Sequence, residues 1–228
     1  MEESSIDVLV RIHPSRFDTG ELESQQQAQS QLVYDGRSIQ VHREGKKATA
    51  EHTFTCVFGP ATLQEEVYSE CREKIQGLLQ GVNTCIMAYG QTGSGKTYSM
   101  LGEGWDDLSI SSSEGYGEDG FGIVPRAIAD LISLLETTSN EKPSMDYSIH
   151  CQFMQIYNEK IYDLMQDKRR ENPLQIKESA RGSHVSVHVR GLSEYRINSR
   201  DDVMSLVERG LRNRAVRSTG EFTESIIF

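Results

Sequence analysis

One tryptophan, five prolines and no apolar run near the ~20 residues a membrane span needs mark what this chain has little of. Aromatic residues make up only 7%. Few prolines and an ordinary hydrophobic share of 36% argue against a low-complexity or disordered chain. The start, "MEESSIDVLV", opens acidic and runs straight into a strand-like stretch, so it does not read as a secretory signal. Cysteines 56, 71, 85 and 151 lie far apart, with no CxxC pair. That spacing fits reduced core thiols in a cytosolic protein rather than a disulfide framework or a metal site. Basic charge is scarce too. The net charge of -10 speaks against binding a nucleic-acid polymer. The deficit is uneven: residues 164 to 228 carry +3 and the remainder -13. An acidic partner would therefore meet the C-terminal part, unless that surface is simply solvated.

What is present reads as one α/β domain. Ile6, Val8, Val10 and Ile12 alternate as a strand does. Residues 18–31, Gln-rich and polar, form an expected surface loop. "QLVYDGRSIQVHREGKK" predicts a hairpin turning at Asp35-Gly36, and "HTFTCVF" a further strand. Thr62-x-x-Glu65 matches a capping box opening a helix that buries Val67, Cys71, Ile75, Leu78 and Leu79, with Gly81 as its C-cap. "TCIMAY" is almost continuously apolar, which suits a strand buried on both faces. Residues 103–120 hold six acids and no base and predict an exposed loop. A helix is expected after Pro125, with Ile128, Leu131, Ile132 and Leu135 on one face. "YSIHCQFMQIY" predicts one strand, and Ser199 caps a last helix carrying Val203, Leu206 and Val207.

The strongest chemical signal is "GQTGSGKT". Gly90, Gln91, Thr92, Gly93, Ser94, Gly95, Lys96 and Thr97 satisfy G-x-x-x-x-G-K-[ST] in full. The glycines allow backbone angles that turn successive N–H groups inward on an anion. Lys96 reaches for phosphates, and the Thr97 hydroxyl is placed to ligate Mg²⁺. No G-x-G-x-x-G register can be laid over these glycines, which excludes a dinucleotide fingerprint. Hydrolysis also needs an acidic residue on a strand. Downstream, Asp130 falls on an expected helix, and Asp163 follows no run of apolar residues.

The stretch "GVNTCIMAYGQTGSGKTYSM" resembles the kinesin motor domain, and "VLVRIHPSR", "FTCVFGP", "QEEVY", "GIVPRAI", "FMQIYNEKIYDLM", "LQIKES" and "LVERGLRNRAVRST" follow in kinesin order. The resemblance implies a P-loop NTPase-like mixed, largely parallel sheet flanked by helices over residues 1–228. It implies ATP and Mg²⁺ as cofactors, microtubules as the partner and a place on the cytoplasmic cytoskeleton. Kinesins carry an R-x-R-P stretch beside the adenine; here Arg11 and Pro14 match it and His13 departs. Tyr98 stands where a kinesin side chain stacks on the base. A surface ion pair for Arg11 and core packing for Tyr98 remain open alternatives. Lys177, Arg181 and Arg190 lie in a strand-loop-strand region like one that touches microtubules in kinesins; solvation alone would also account for them. His184 and His188 share a face of an expected strand, without a third metal ligand nearby.

After "NRAVRST" the family continues into N-x-x-S-S-R-S-H and then D-L-A-G-S-E, whereas this sequence reads "GEFTESIIF". The resemblance therefore implies the first two-thirds of a motor domain, truncated within the first switch, and no stalk for dimerisation. Two outcomes stay open besides a motor: a nucleotide- or tubulin-binding module without turnover, and an inactive splice or gene-model fragment. Without the interior strands that kinesins place beside the phosphate-loop strand, "TCIMAY" is expected to be left with an unpaired edge.

Overall fold

A computed structural model of the chain describes residues 6–14, 31–42, 50–105, 118–142, 144–166, 172–181, 184–215 and 225–227. The chain divides into two compact units, Met1–Val67 and Tyr68–Phe228.

In the first unit, β1 (Leu9–Arg11) pairs in parallel with β5 (Cys56–Phe58). Val57 and Phe58 are buried, while Ile6 is 88% exposed, so the alternation read from Ile6 to Ile12 yields only a three-residue strand. The expected hairpin is β2 (Gln31–Tyr34) and β3 (Ser38–His42), antiparallel, with β4 (Ala50–Thr53) on the other edge of β3. Asp35 closes the turn: its Oδ1 accepts from Arg37 N at 2.7 Å and Ser38 N at 2.6 Å. Those bonds hold its carboxyl below the usual carboxylate range. The run read as one strand around Cys56 is thus divided between β4 and β5. Of the loop expected at 18–31, only Gln31 is described, and it opens β2.

Helix α1 spans Gln64–Gly77. The capping interaction lies one residue later than the sequence suggested: Glu66 Oε2 accepts from Leu63 N at 2.7 Å. The carboxylate reaches back onto the last amide before the helix, the half of a capping box that needs no hydroxyl. Val67, Cys71 and Ile75 are buried as expected, but Leu79 is 40% exposed. It belongs to a 3-10 turn, Leu78–Gln80, which Gly81 ends at φ 81°. Only glycine takes that left-handed angle without a Cβ penalty.

In the second unit, α3 (Ile123–Glu141) starts two residues before Pro125, which fits because a first-turn proline gives up no helical bond. α4 (Arg200–Ala215) is capped as expected: Ser199 Oγ accepts from Asp202 N at 3.1 Å, and Asp202 Oδ2 accepts from Ser199 N at 3.0 Å. The two helices enclose a core of Leu101, Trp105, Ile197, Val203, Val207 and Leu211. A second cluster joins Phe153, Leu164 and Met165. Gly210 faces the Phe153 ring so closely that a Cβ there would collide with it.

The strand expected over 147–157 is two strands in different sheets. β6 (Ile149–Cys151) pairs with β11 (Tyr195–Ile197), and β7 (Met154–Tyr157) is flanked by β8 (Lys160–Asp163) and β12 (Ser225–Ile227). Ser225–Ile227, from the stretch set beside the first switch in the sequence, thus supply a strand antiparallel to β7. β9 (Gln175–Arg181) and β10 (His184–Arg190) form a seven-pair antiparallel hairpin. Strand pairing is mixed, with antiparallel ladders in the majority among the described residues.

The apolar run Thr84–Tyr89 departs most from expectation. It forms no ladder with any described strand and is not buried on both faces. Met87 is 82% and Tyr89 95% exposed, and Cys85 is an exposed thiol rather than a core one. Thr84, Ile86 and Ala88 are half-buried between them, so the period of two survives. A doubly buried strand needs hydrogen-bonded neighbours on both edges, and no described strand provides one.

Candidate nucleotide site

The phosphate-loop sequence runs from this exposed segment into α2 (Lys96–Met100). Gly93 stands at φ 75° and Gly95 at φ 85°, both left-handed, and Ser94 N donates to Gln91 O at 3.1 Å. Gly90 lies close to Ser94: a Cβ there would meet the Ser94 hydroxyl, which would have to rotate away, and would stand 3.2 Å from the Ser94 Cβ. Gly95 is the N-cap of α2 and makes no side-chain cap hydrogen bond to the first turn. The helix bonds begin at once, Ser99 N to Gly95 O at 2.9 Å and Leu101 N to Thr97 O at 2.8 Å. Lys96 Nζ donates to both Gly90 O and Gln91 O at 2.9 Å, so its ammonium is drawn back across the loop mouth. Thr97 is half-buried in the same turn.

The donor set fits a polyphosphate with a divalent ion. It offers two left-handed glycines, an uncapped helix start, one ammonium and one hydroxyl, with no carboxylate among residues 90–97 to repel an anion. Tyr98, the next residue of α2, is 39% exposed, which is not the exposure of a core ring.

Arg11 and Pro14 belong to the first unit. Arg11 Nη1 donates to Gln64 Oε1 at 2.8 Å and Nη2 to Thr62 O at 3.1 Å. The guanidinium thus secures the entrance to α1, where Gln64 is 3% exposed. No motif in the sequence flags Gln64 as its partner. Pro14 is exposed.

The two acids considered for metal or water chemistry both have structural partners. Asp130, on α3, accepts from the Tyr68 hydroxyl at 2.7 Å and from Arg72 Nε at 3.0 Å. Burial, then the hydrogen bond to Asp130, push the Tyr68 phenol far above its usual range. Asp163 ends β8, 4% exposed, and accepts from Met165 N and Ser193 N, each at 2.8 Å.

Beyond α2 the acidic stretch departs and returns through a closed neck. Gly102 bridges Phe121, Glu103 N donates to Gly120 O at 3.0 Å and Gly122 N to Leu101 O at 3.1 Å. A Cβ on Gly122 would lie 2.7 Å from Gly102 N. Arg126 locks the returning limb through Phe121 O and Glu118 O, each at 2.8 Å, and the Arg200 guanidinium sits 4.6 Å over the Phe121 ring. Trp105 is 8% exposed and belongs to the core, so the outgoing limb is anchored there, while Glu103 before it is exposed. Residues 106–117 lie outside the described residues. Of the hairpin candidates, Lys177 and Arg190 are exposed, and Arg181 stands opposite His184 at the β9–β10 tip.

Comparison with known proteins places this geometry. The family model described as the kinesin motor domain matches residues 11–225. Kinesin-like protein KIN-14G of Arabidopsis thaliana is 38% identical over 77% of this chain and 16% of its own length. Kinesin-like protein KIN-14P of Oryza sativa subsp. japonica is 34% identical over 94% of this chain and 19% of its own. A solved structure of a fast kinesin superposes with a TM-score of 0.73 at 27% identity, covering 95% of this chain and 55% of that one. The chain thus spans less than a fifth of these curated relatives. The phosphate loop, the mixed α/β architecture and the family match agree: the chain belongs to the kinesin motor domain family.

Proposed function

We propose that this chain is the ATP-binding part of a microtubule motor, holding ATP with Mg²⁺ through residues 90–97. The backbone angles and ligand set of the loop support this reading most directly. Lys96 would exchange its two carbonyl partners for phosphate oxygens, a stronger charge-assisted contact. Thr97 would ligate Mg²⁺, which supplies charge neutralisation at the phosphates. Tyr98, with Arg11 and Pro14, is assigned to the adenine. The family points to a microtubule partner and to the cytoplasmic cytoskeleton, and the exposed bases of β9–β10 are assigned to the acidic lattice.

Asp130 and Asp163 are engaged in structural hydrogen bonds, so neither is assigned to the metal or to the attacking water. The test is equilibrium binding of a fluorescent ATP analogue. Lys96→Ala is expected to weaken it by roughly 30-fold or more, from the loss of a charged hydrogen-bond donor, with far-UV circular dichroism unchanged. Equal affinity of both proteins would refute the site.

A further inference from the structure

The β9–β10 ladder is a sheet of its own, and both of its faces are open. Lys177, His188 and Arg190 are exposed on one side, and Ile176 is 60% and Val187 64% exposed on the other. A lone two-stranded hairpin is marginal in water, so its direction is set where it joins the body. Both joints lie on β8. At the entry, Leu174 N donates to Ile161 O at 2.8 Å, one residue before β9 begins. At the exit, Gly191 turns the chain at φ 83° just after β10, and Ser193 N donates to Asp163 Oδ2 at 2.8 Å. Gln166 Nε2 adds a longer contact to Gly191 O at 3.5 Å. The other oxygen of the same carboxylate, Asp163 Oδ1, accepts from Met165 N at 2.8 Å. The end of β8 is held in turn by α4: Arg209 Nη2 donates to Met165 O at 2.7 Å and Asn213 Nδ2 to Leu164 O at 2.6 Å.

We infer that Asp163 is a positioning residue for this hairpin: buried beyond the reach of any partner, it fixes the angle at which the hairpin meets an acidic protein surface. The inference rests on the docking reading above and adds to it the residue that aims the docking element. Asp163 is 4% exposed, and each of its oxygens accepts a main-chain amide, one from the end of β8 and one from the hairpin exit. The carboxylate therefore cannot turn without losing a bond on one side of the joint. Asparagine has the same shape but a single acceptor oxygen, and its amide nitrogen would face an N–H donor. The geometry makes small errors at the joint large. Strands of seven residues reach about 24 Å, so a tilt of about 10° at the base moves the tip, where Arg181 stands opposite His184, by about 4 Å. A hairpin that holds the docking angle for only a fraction of the time binds more weakly by that fraction.

The test pairs amide hydrogen exchange with co-sedimentation on stabilised microtubules, using the whole chain and its Asp163→Asn variant. In the variant the amides of Leu174, Ser193 and the hairpin strands should exchange faster, while those of α3 keep their protection. Microtubule affinity should fall roughly tenfold, from the loss of a hydrogen bond to a charged group, and affinity for the fluorescent ATP analogue should stay unchanged. A side chain needed only for folding would lower both affinities together. Ser193→Pro removes the donor and leaves the acid in place. It should repeat the pattern, and it decides the question if Asp163→Asn does not fold. Unchanged microtubule affinity in the folded variant, or an equal loss of both affinities, would overturn the inference. A separate arm tests the docking reading: Lys177→Glu/Arg190→Glu should lose microtubule binding with hairpin exchange unchanged. If it bound like the unsubstituted chain, the docking reading would fall, and with it the aim assigned to Asp163 but not the anchoring, which exchange at Ser193 reads separately.

Discussion

At the residue scale, two buried polar side chains make opposite predictions. Gln155 is 0% exposed on β7, and neither its Nε2 nor its Oε1 finds a partner among the described residues. A buried group left unbonded costs about 1–3 kcal/mol. Gln155→Met, of similar shape, is therefore expected to raise Tm by several degrees, since ~1 kcal/mol moves a domain of this size by about 2–4 °C. A lower Tm would show that the amide has a partner. Tyr68, also 0% exposed, is fully provided for by Asp130. Arg72 and Asp130 are each more than a third exposed, so their ion pair contributes little beside that hydrogen bond. Asp130→Ala should cost about 1–3 kcal/mol in denaturant unfolding, because it removes the acceptor to which the buried phenol donates. The raised pKa of Tyr68 carries a sign. The folded state holds the phenolic proton more tightly than the unfolded chain does. Its contribution is complete below about pH 10, the ordinary tyrosine value, and is lost as pH rises through the folded value. An alkaline stability profile should therefore fall above about pH 10 and fall less in Tyr68→Phe.

At the element scale, local chemistry decides which segments announced themselves. Ser199 and Asp202 cap α4 through their own backbone neighbours, so four residues contain the whole interaction. Ser199→Ala should cost about 1 kcal/mol. The Asp202 carboxyl, held below its usual range chiefly by the Asn198 amide, stabilises above the ordinary aspartate value and loses that effect as pH falls through its folded one. A cap-deleted variant should therefore show a shallower acid limb on unfolding. Asp35 and the phosphate loop were legible for the same reason, since turn and nest chemistry reside in consecutive residues. What the sequence concealed depends on distant partners. Thr84–Tyr89 has the composition of an interior strand, but composition does not say whether neighbours exist. The division of 147–157 into β6 and β7 was hidden because alternation runs on through Gln152 while the hydrogen-bonding partner changes. Glu66 displaced Glu65 as the capping acid because the helix starts at Gln64.

At the scale of the molecule, the described strands form five separate ladders of two or three strands. Met87, Tyr89 and Val82 crowd one exposed, unpaired stretch at 82%, 95% and 55%. Such an edge is a template for association with further chains. Static light scattering is expected to rise with concentration for the purified chain, and Met87→Lys/Tyr89→Lys should lower it by several-fold. A sharp, cooperative melt of stable monomer would contradict this. Kinesin membership was readable because short matches keep their order along the chain, whereas the engagement of Arg11, Asp130 and Asp163 depends on spatial neighbours that no motif encodes. The neck at Gly102 and Gly122 has a practical corollary. Arg126 and Arg200 hold the returning limb, at Glu118 and Phe121, while the outgoing one is joined to it by main-chain bonds of Gly102, Glu103 and Gly122. A methyl group on Gly122 would press on the Gly102 amide and should pry this seam open, a cost that a lower Tm of Gly122→Ala would register.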